Sequence, residues 1–146
     1  MADPADLLAI RALVDGYALA ADRRDRTAFV ALFAPDATLT TYDVDDQVAG
    51  GYAGAAELAT VIDRLERYER TLHLVATHLA VVDGDEATGS ATCEAHHRRA
   101  DGHDRVLLIR YDDRYARRGP GWVIQGREVH VRFSEERPAP VRGGGG

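Results

Sequence analysis

The spacing of apolar residues divides the chain into a helical first half and a strand-rich second half. Leu7, Ile10, Val14, Tyr17 and Ala21 recur at the interval of one helix face. Asp3 can cap this helix and Pro4 suits its first turn, so the pattern predicts a helix from there to about Asp22. Phe29, Leu32 and Phe33 predict a second, short helix over Thr27–Phe33 with Pro35 closing it, and Ala37–Tyr42 reads as a strand. A polar, glycine-rich stretch from Asp43 to Gly54, to which the pattern assigns no element, precedes a third amphipathic helix marked by Leu58, Val61, Ile62, Leu65 and Tyr68.

Beyond Tyr68 everything reads as sheet. The turn signals Asp83-Gly84-Asp85, Ala100-Asp101-Gly102 and Gly119-Pro120-Gly121 separate four runs rich in β-branched and aromatic residues, as in an antiparallel meander. On the run ending at His97, the residues Ala87, Gly89, Ala91, Cys93, Ala95 and His97 share one face, while His96 points the other way. That face of small side chains either admits a helix closely or leaves room for a ligand. Helices first and a meander after predict an α+β domain in which three helices cover one face of a strongly curved, mainly antiparallel sheet. Such a cone encloses an apolar cavity with a few placed polar groups.

A length of 146 residues fits one domain, assigned to residues 1–136, with the Pro/Gly-rich residues 137–146 expected as a disordered tail. Hydrophobic residues at 45% and charged residues at 29% predict a packed core. The net charge of -6, with arginines interleaved among acids, argues against a nucleic-acid partner. No apolar run is long enough to span a bilayer, the start of the chain lacks a signal-peptide pattern, and the one cysteine cannot form an internal disulfide. A cytoplasmic location is the expectation, with no membrane partner.

Tyr17 and Asp22 near the end of the first helix, FAPDATL from Phe33, His73 opening a strand, VDGDEA from Val82 running to His97, then RYDDRY and GWVIQGREV, occur in a characteristic order. Together they resemble the SnoaL-like branch of the nuclear transport factor 2-like (NTF2-like) superfamily over about residues 5–133. The resemblance implies a cone-shaped domain, association into homodimers or homotrimers, and a family holding dehydratases, isomerases, polyketide cyclases and non-enzymatic binding or accessory proteins. The site looks most like those of scytalone dehydratase and bile-acid 7α-dehydratase, which work without a metal. By that likeness Tyr17, Asp22, His73 and His97 are the candidate catalytic residues, and an arginine near the pocket rim corresponds to Arg127.

Those residue types suit removal of water from a β-hydroxycarbonyl compound, which needs a base, an acid and a donor for the enolate oxygen. A histidine titrates near 6.5 and can serve as both base and acid, and an aspartate bonded to it would fix its tautomer. Tyr17 is the expected oxygen donor, with Tyr42 a second, and Tyr42 and Arg127 are the candidate substrate-binding residues. Each has a plainer reading: Tyr17 as core, Asp22 as helix end, His73 as a satisfied core histidine, Arg127 as a surface ion pair. His78, His96, His103 and His130 read as surface or loop residues. No metal or other cofactor is expected, because His96 and His97 face opposite ways and His73 and His78 are separated by an odd number of positions. Trp122, Phe133, Tyr111 and Tyr115 read as core or subunit contact. Apolar residues on both faces of Val106–Ile109 and Val129–Phe133 suggest a covered outer surface. The ligand expected is a small hydrophobic cyclic compound, polyketide or steroid-like. It would be the substrate of a cofactor-independent lyase or isomerase, of a polyketide cyclase, or the ligand of a non-catalytic protein.

Overall fold

The structure, a computed structural model, describes residues 2–140. Helix α1 spans Pro4–Arg23, and its N-terminus is closed by the Asp3 side chain, which accepts a hydrogen bond from the Ala5 N–H at 2.9 Å. It ends at Arg24, whose backbone is left-handed at φ 57°. A non-glycine residue there costs about 1 to 2 kcal/mol. The Arg24 guanidinium offsets that strain with bonds to the Ala21 and Leu65 carbonyls and to Thr71, tying the helix end to the sheet. Asp25 caps the short helix α2, Arg26–Ala31.

Strand β1 runs Phe33–Tyr42, longer than the hydrophobic pattern predicts, and it corrects the second-helix boundary. Phe33 and Pro35 are strand residues: the Ile124 N–H donates to the Leu32 carbonyl at 2.8 Å and pulls the chain out of the helix. The glycine-rich stretch conceals strand β2, Val48–Ala53, which pairs antiparallel with β1. Helix α3, Gly54–Leu65, stops three residues short of Tyr68, which lies in the following turn.

The meander is as expected: β3 Arg70–Asp83, β4 Glu86–Arg98, β5 His103–Arg118 and β6 Gly121–Pro138 pair in sequence, all antiparallel. One long-range contact completes the sheet. β1 joins β6 in parallel, giving the order β2-β1-β6-β5-β4-β3 and a mixed, open sheet. Bulges in β3 and in the β5–β6 ladder bend the strands. α1 packs on β3 and β6 and α3 on β1, so the helices fill one concave face.

β6 carries Arg137 and Pro138, and Arg98 donates to the Ala139 carbonyl, so the first residues assigned to the tail belong to the folded unit. The rest of that tail, 141–146, lies outside the described residues. The small-residue face of β4 serves close packing. A Cβ at Gly89 would stand 3.0 Å from the Tyr115 ring, and only His97 of that face reaches the cavity. Tyr17, Phe29, Phe33 and Tyr111 form an aromatic cluster with ring centroids 5.0–6.3 Å apart between α1, α2 and the sheet. Among the described residues, no helix is long and apolar enough to cross a membrane.

Candidate active site

Between α3, the concave sheet face and the end of α1 lies a cavity of about 340 Å³. That volume holds a small cyclic molecule. Its walls are largely aliphatic, including Leu39, Val61, Leu107, Ile109 and Val129, and Tyr17, Tyr42, Tyr111, His73 and His97 are among its polar lining groups. Four predicted site residues, Tyr17, Tyr42, His73 and His97, therefore share one chamber.

Asp22 stands behind His73, outside the chamber wall. Its Oδ1 lies 2.7 Å from His73 Nδ1, and its Oδ2 accepts from the His73 backbone N–H at 2.9 Å. Thr71 donates to Oδ1 at 3.0 Å. Burial disfavours the Asp22 charge, but the hydrogen bonds from the His73 ring, the His73 backbone and Thr71 outweigh it and hold the carboxyl below the usual carboxylate range. An ionised Asp22 only accepts, so the geometry assigns the hydrogen to His73 Nδ1 and leaves the Nε2 lone pair free. The last turn of α1 and the first residues of β3 thus hold the ring in one orientation and tautomer.

His97 lies beside it, ring centroids 5.5 Å apart, and Tyr68 packs on its other side at 4.7 Å. It is 8% exposed, and neither ring nitrogen has a hydrogen-bond partner among the described residues. Burial, then the neighbouring His73 ring and the charges of Arg105, Arg24 and Arg67, push its pKa down to about 3. At neutral pH it is a neutral imidazole that can donate one hydrogen bond and accept one.

This has a stability consequence. The unfolded chain protonates His97 below about 6.5 while the folded protein resists until about 3. Acid therefore favours unfolding across that window: the His97 contribution is complete above 6.5 and is lost as pH falls towards 3. Urea denaturation over this range should show a shallower acid slope for His97→Gln than for wild type, and equal slopes would contradict the assignment.

Arg127 does not stand at the pocket rim, nor does it make a surface ion pair. Its side chain is fully buried beneath the chamber, with Nε and one terminal nitrogen donating to the two Asp113 oxygens at 2.8 and 2.7 Å. Tyr115 adds a 2.6 Å bond to Asp113. The guanidinium sits 4.2 Å from the Tyr17 ring centroid and 4.1 Å from that of Tyr111. It is a platform that positions two tyrosines. Burial pushes the Tyr17 phenol up to about 12 against the opposing charge of Arg127, and it also raises Tyr111 well above its ordinary value. Both phenols therefore remain hydrogen-bond donors.

Among the remaining histidines, His96 lies outside the cavity between Asp104 and Glu94, at 2.7 and 2.9 Å, and His103 is exposed beside Asp101. His78 and His130 are partly buried, which corrects their surface assignment. His78 sits where a bulge in β3 changes which residues face in, and His130 stacks on Tyr42 at 4.5 Å. Asp112, Glu128 and His130 could offer three ligand atoms to a metal. None lines the cavity, and Arg110 already holds Asp112 at 2.9 Å.

The sequence reading placed Tyr111 in the core or a subunit contact and Tyr68 on a helix, and it passed over Arg64, Arg67 and Arg105; all five line the cavity. Arg105 had a legible signal: it shares the inward parity of Leu107, Ile109 and Tyr111 on β5.

A comparison with curated protein sequences gave no match. Among solved structures, a LinA-type3 hexachlorocyclohexane dehydrochlorinase from Novosphingobium barchaimii LL02 superposes with a TM-score of 0.80 at 17% identity, covering 91% of this chain and 90% of that one. A protein of Novosphingobium aromaticivorans DSM 12444 provisionally named a scytalone dehydratase gives 0.80 at 18% identity, covering 97% and 96%. A variant of a Mycobacterium tuberculosis protein of unknown function gives 0.74 at 26% identity, covering 91% and 76%. The sequence model of the SnoaL-like domain matches residues 3–128, and the chain belongs to that family.

Proposed function

We propose that the protein is a cofactor-independent lyase or isomerase of the dehydratase type, acting on a small hydrophobic cyclic carbonyl compound. The observation that carries this reading is the Asp22–His73 contact at 2.7 Å, with His73 lining an apolar chamber. His73 Nε2 takes the proton from the carbon next to the carbonyl. The C–H electron pair passes into the enolate, whose oxygen accepts from the phenol of Tyr17 or Tyr111. Asp22 stabilises the imidazolium so formed. The same imidazolium then gives its proton to the β-hydroxyl, the C–O bond breaks, and water leaves with a new C=C bond behind it. Where no β-hydroxyl is present, return of the proton to another carbon gives isomerisation by the same groups.

Support also comes from the company the fold keeps, since the structures named above include a dehydrochlorinase and a protein provisionally named a dehydratase. The test is a panel of cyclic β-hydroxyketones followed by mass spectrometry. Loss of water from a panel member in wild type is the expected result. Binding without loss of water across the panel would favour a non-catalytic binding protein.

The outer sheet face bears Leu72, Leu74 and Phe133, the last 62% exposed rather than in the monomer core. We read this face as covered by a second copy of the chain in a homodimer or homotrimer. Phe133→Glu should lower the mass measured by light scattering to that of the 15.9 kDa monomer, and an unchanged mass would remove this face from the interface.

A further inference from the structure

The exposed end of the cavity is cationic. Arg64 in the last turn of α3, Arg67 in the turn after it and Arg105 on β5 come from three segments and line the same chamber. None of the three has a carboxylate partner among the described residues. The chain holds 24 acids against 18 basic residues, all arginine, so partners are not scarce. Arg11 holds Asp15 and Arg117 holds both Asp6 and Asp85, while Arg23, Arg24, Arg70, Arg114 and Arg118 also lack a carboxylate within 4.0 Å among the described residues; what sets Arg64, Arg67 and Arg105 apart is that they line one chamber.

Two acids near this end have other partners. Glu136, opposite Arg105 in the β5–β6 ladder, is bonded by Arg99 at 2.8 Å. Asp43 lines the cavity, but one of its oxygens accepts from the backbone N–H groups of Asp45 and Gln47 at 3.0 and 2.9 Å. Two of the three arginines are held by rings instead, Arg64 at 5.3 Å from the Tyr52 centroid and Arg67 at 5.0 Å from that of Tyr68. Ring contact fixes a guanidinium while leaving its N–H fork available. The α3 carbonyl end accounts for part of Arg64's placement. It does not account for Arg105, which is on a strand.

Position along the cavity adds direction. Arg67 rests on Tyr68, Tyr68 on His97, and His97 beside His73, so the cationic end lies beyond His97 from the base. The charges of Arg105 and Arg67 are felt at His97, which helps keep that ring neutral. A ligand spanning the chamber would be apolar at its middle, carbonyl-bearing at one end and negatively charged at the other.

We propose that the substrate is an amphiphilic anion: an apolar ring whose reacting carbon meets His73 and whose oxyanion, a carboxylate or a phosphate, is held by Arg64, Arg67 and Arg105. This rests on the proposed function for the role of His73, but the anion site stands on its own residues. It also explains an acid-rich protein that keeps three arginines unpaired at one opening.

Calorimetric titration with three probes of one ring skeleton tests it: naphthalene carboxamide, naphthoate and naphthyl phosphate. Each anion should bind wild type at least about tenfold more tightly than the amide, the yield of one charge-assisted hydrogen bond. The advantage should shrink as salt rises. Tighter binding of naphthoate would identify a carboxylate, and tighter binding of naphthyl phosphate a phosphate ester. In Arg67→Gln/Arg105→Gln the anion advantage should vanish while the amide binds as before, which also shows that the variant is folded. The single Arg105→Gln should lose part of the advantage. Amide binding equal to that of both anions, or an anion preference that survives in the double variant, overturns the proposal. His73→Ala should keep the anion preference. If it does, and wild type abstracts no proton from any ketone, the acid–base reading fails while the anion site remains.

Discussion

Asp22→Asn should lower kcat by about a thousandfold with KM little changed, a loss typical of a disabled general base. Asp22 lies outside the cavity wall and its side chain bonds to His73 and Thr71, so ligand contacts are preserved. An asparagine that presents its amide N–H to Nδ1 would turn the imidazole to the other tautomer, with the hydrogen on Nε2 and no lone pair facing the substrate. His73→Ala should lose about as much, and the double variant scarcely more, because the two residues act as one base. Steady-state kinetics on any turned-over panel member checks this. Losses that multiply in the double variant would mean that Asp22 and His73 act separately.

The second large effect is on stability. Arg127→Ala should cost about 3 to 5 kcal/mol, because it leaves the Asp113 carboxylate buried and opposed only by Tyr115. Against a total stability of about 5 to 15 kcal/mol, that brings the protein close to unfolding. Replacing both partners, as Arg127→Met with Asp113→Leu, removes the orphaned charge and should recover most of the loss in urea denaturation. If the single variant were as stable as wild type, the buried pair would not be what seats Tyr17 and Tyr111.

How much of this could be read from the sequence depends on how local its causes are. The first helix was legible because its cap, its proline and its apolar spacing all lie within one segment. The three hairpin turns of the meander were legible for the same reason, each carrying its own glycine, and Gly84, Gly102 and Gly119 all adopt positive φ. Strand parity then put His97 on the inward face and His96 outside, as the structure has them.

What failed depended on distant partners. Phe33 becomes a strand residue because β6, some ninety positions later, offers it Ile124 as a parallel neighbour. Strand β2 has little propensity of its own, and its glycines are ordered by pairing with β1. Arg127 was expected at the pocket rim or in a surface ion pair because nothing nearby in sequence shows that Asp113 lies opposite it across the β5–β6 ladder. The cationic cavity end was missed since its arginines sit on three segments and only the fold brings them to one chamber.

The central claim is that His73 abstracts a proton next to a carbonyl. The most direct measurement is deuterium uptake from heavy water into cyclic ketones that bind the protein, followed by mass spectrometry, for wild type and His73→Ala. Exchange reports proton abstraction even when the ketone carries no leaving group. The account predicts incorporation of deuterium at the carbon next to the carbonyl in wild type and none above background in His73→Ala. Equal exchange in the two proteins, or a ketone that binds wild type in the cavity and never exchanges, would contradict it.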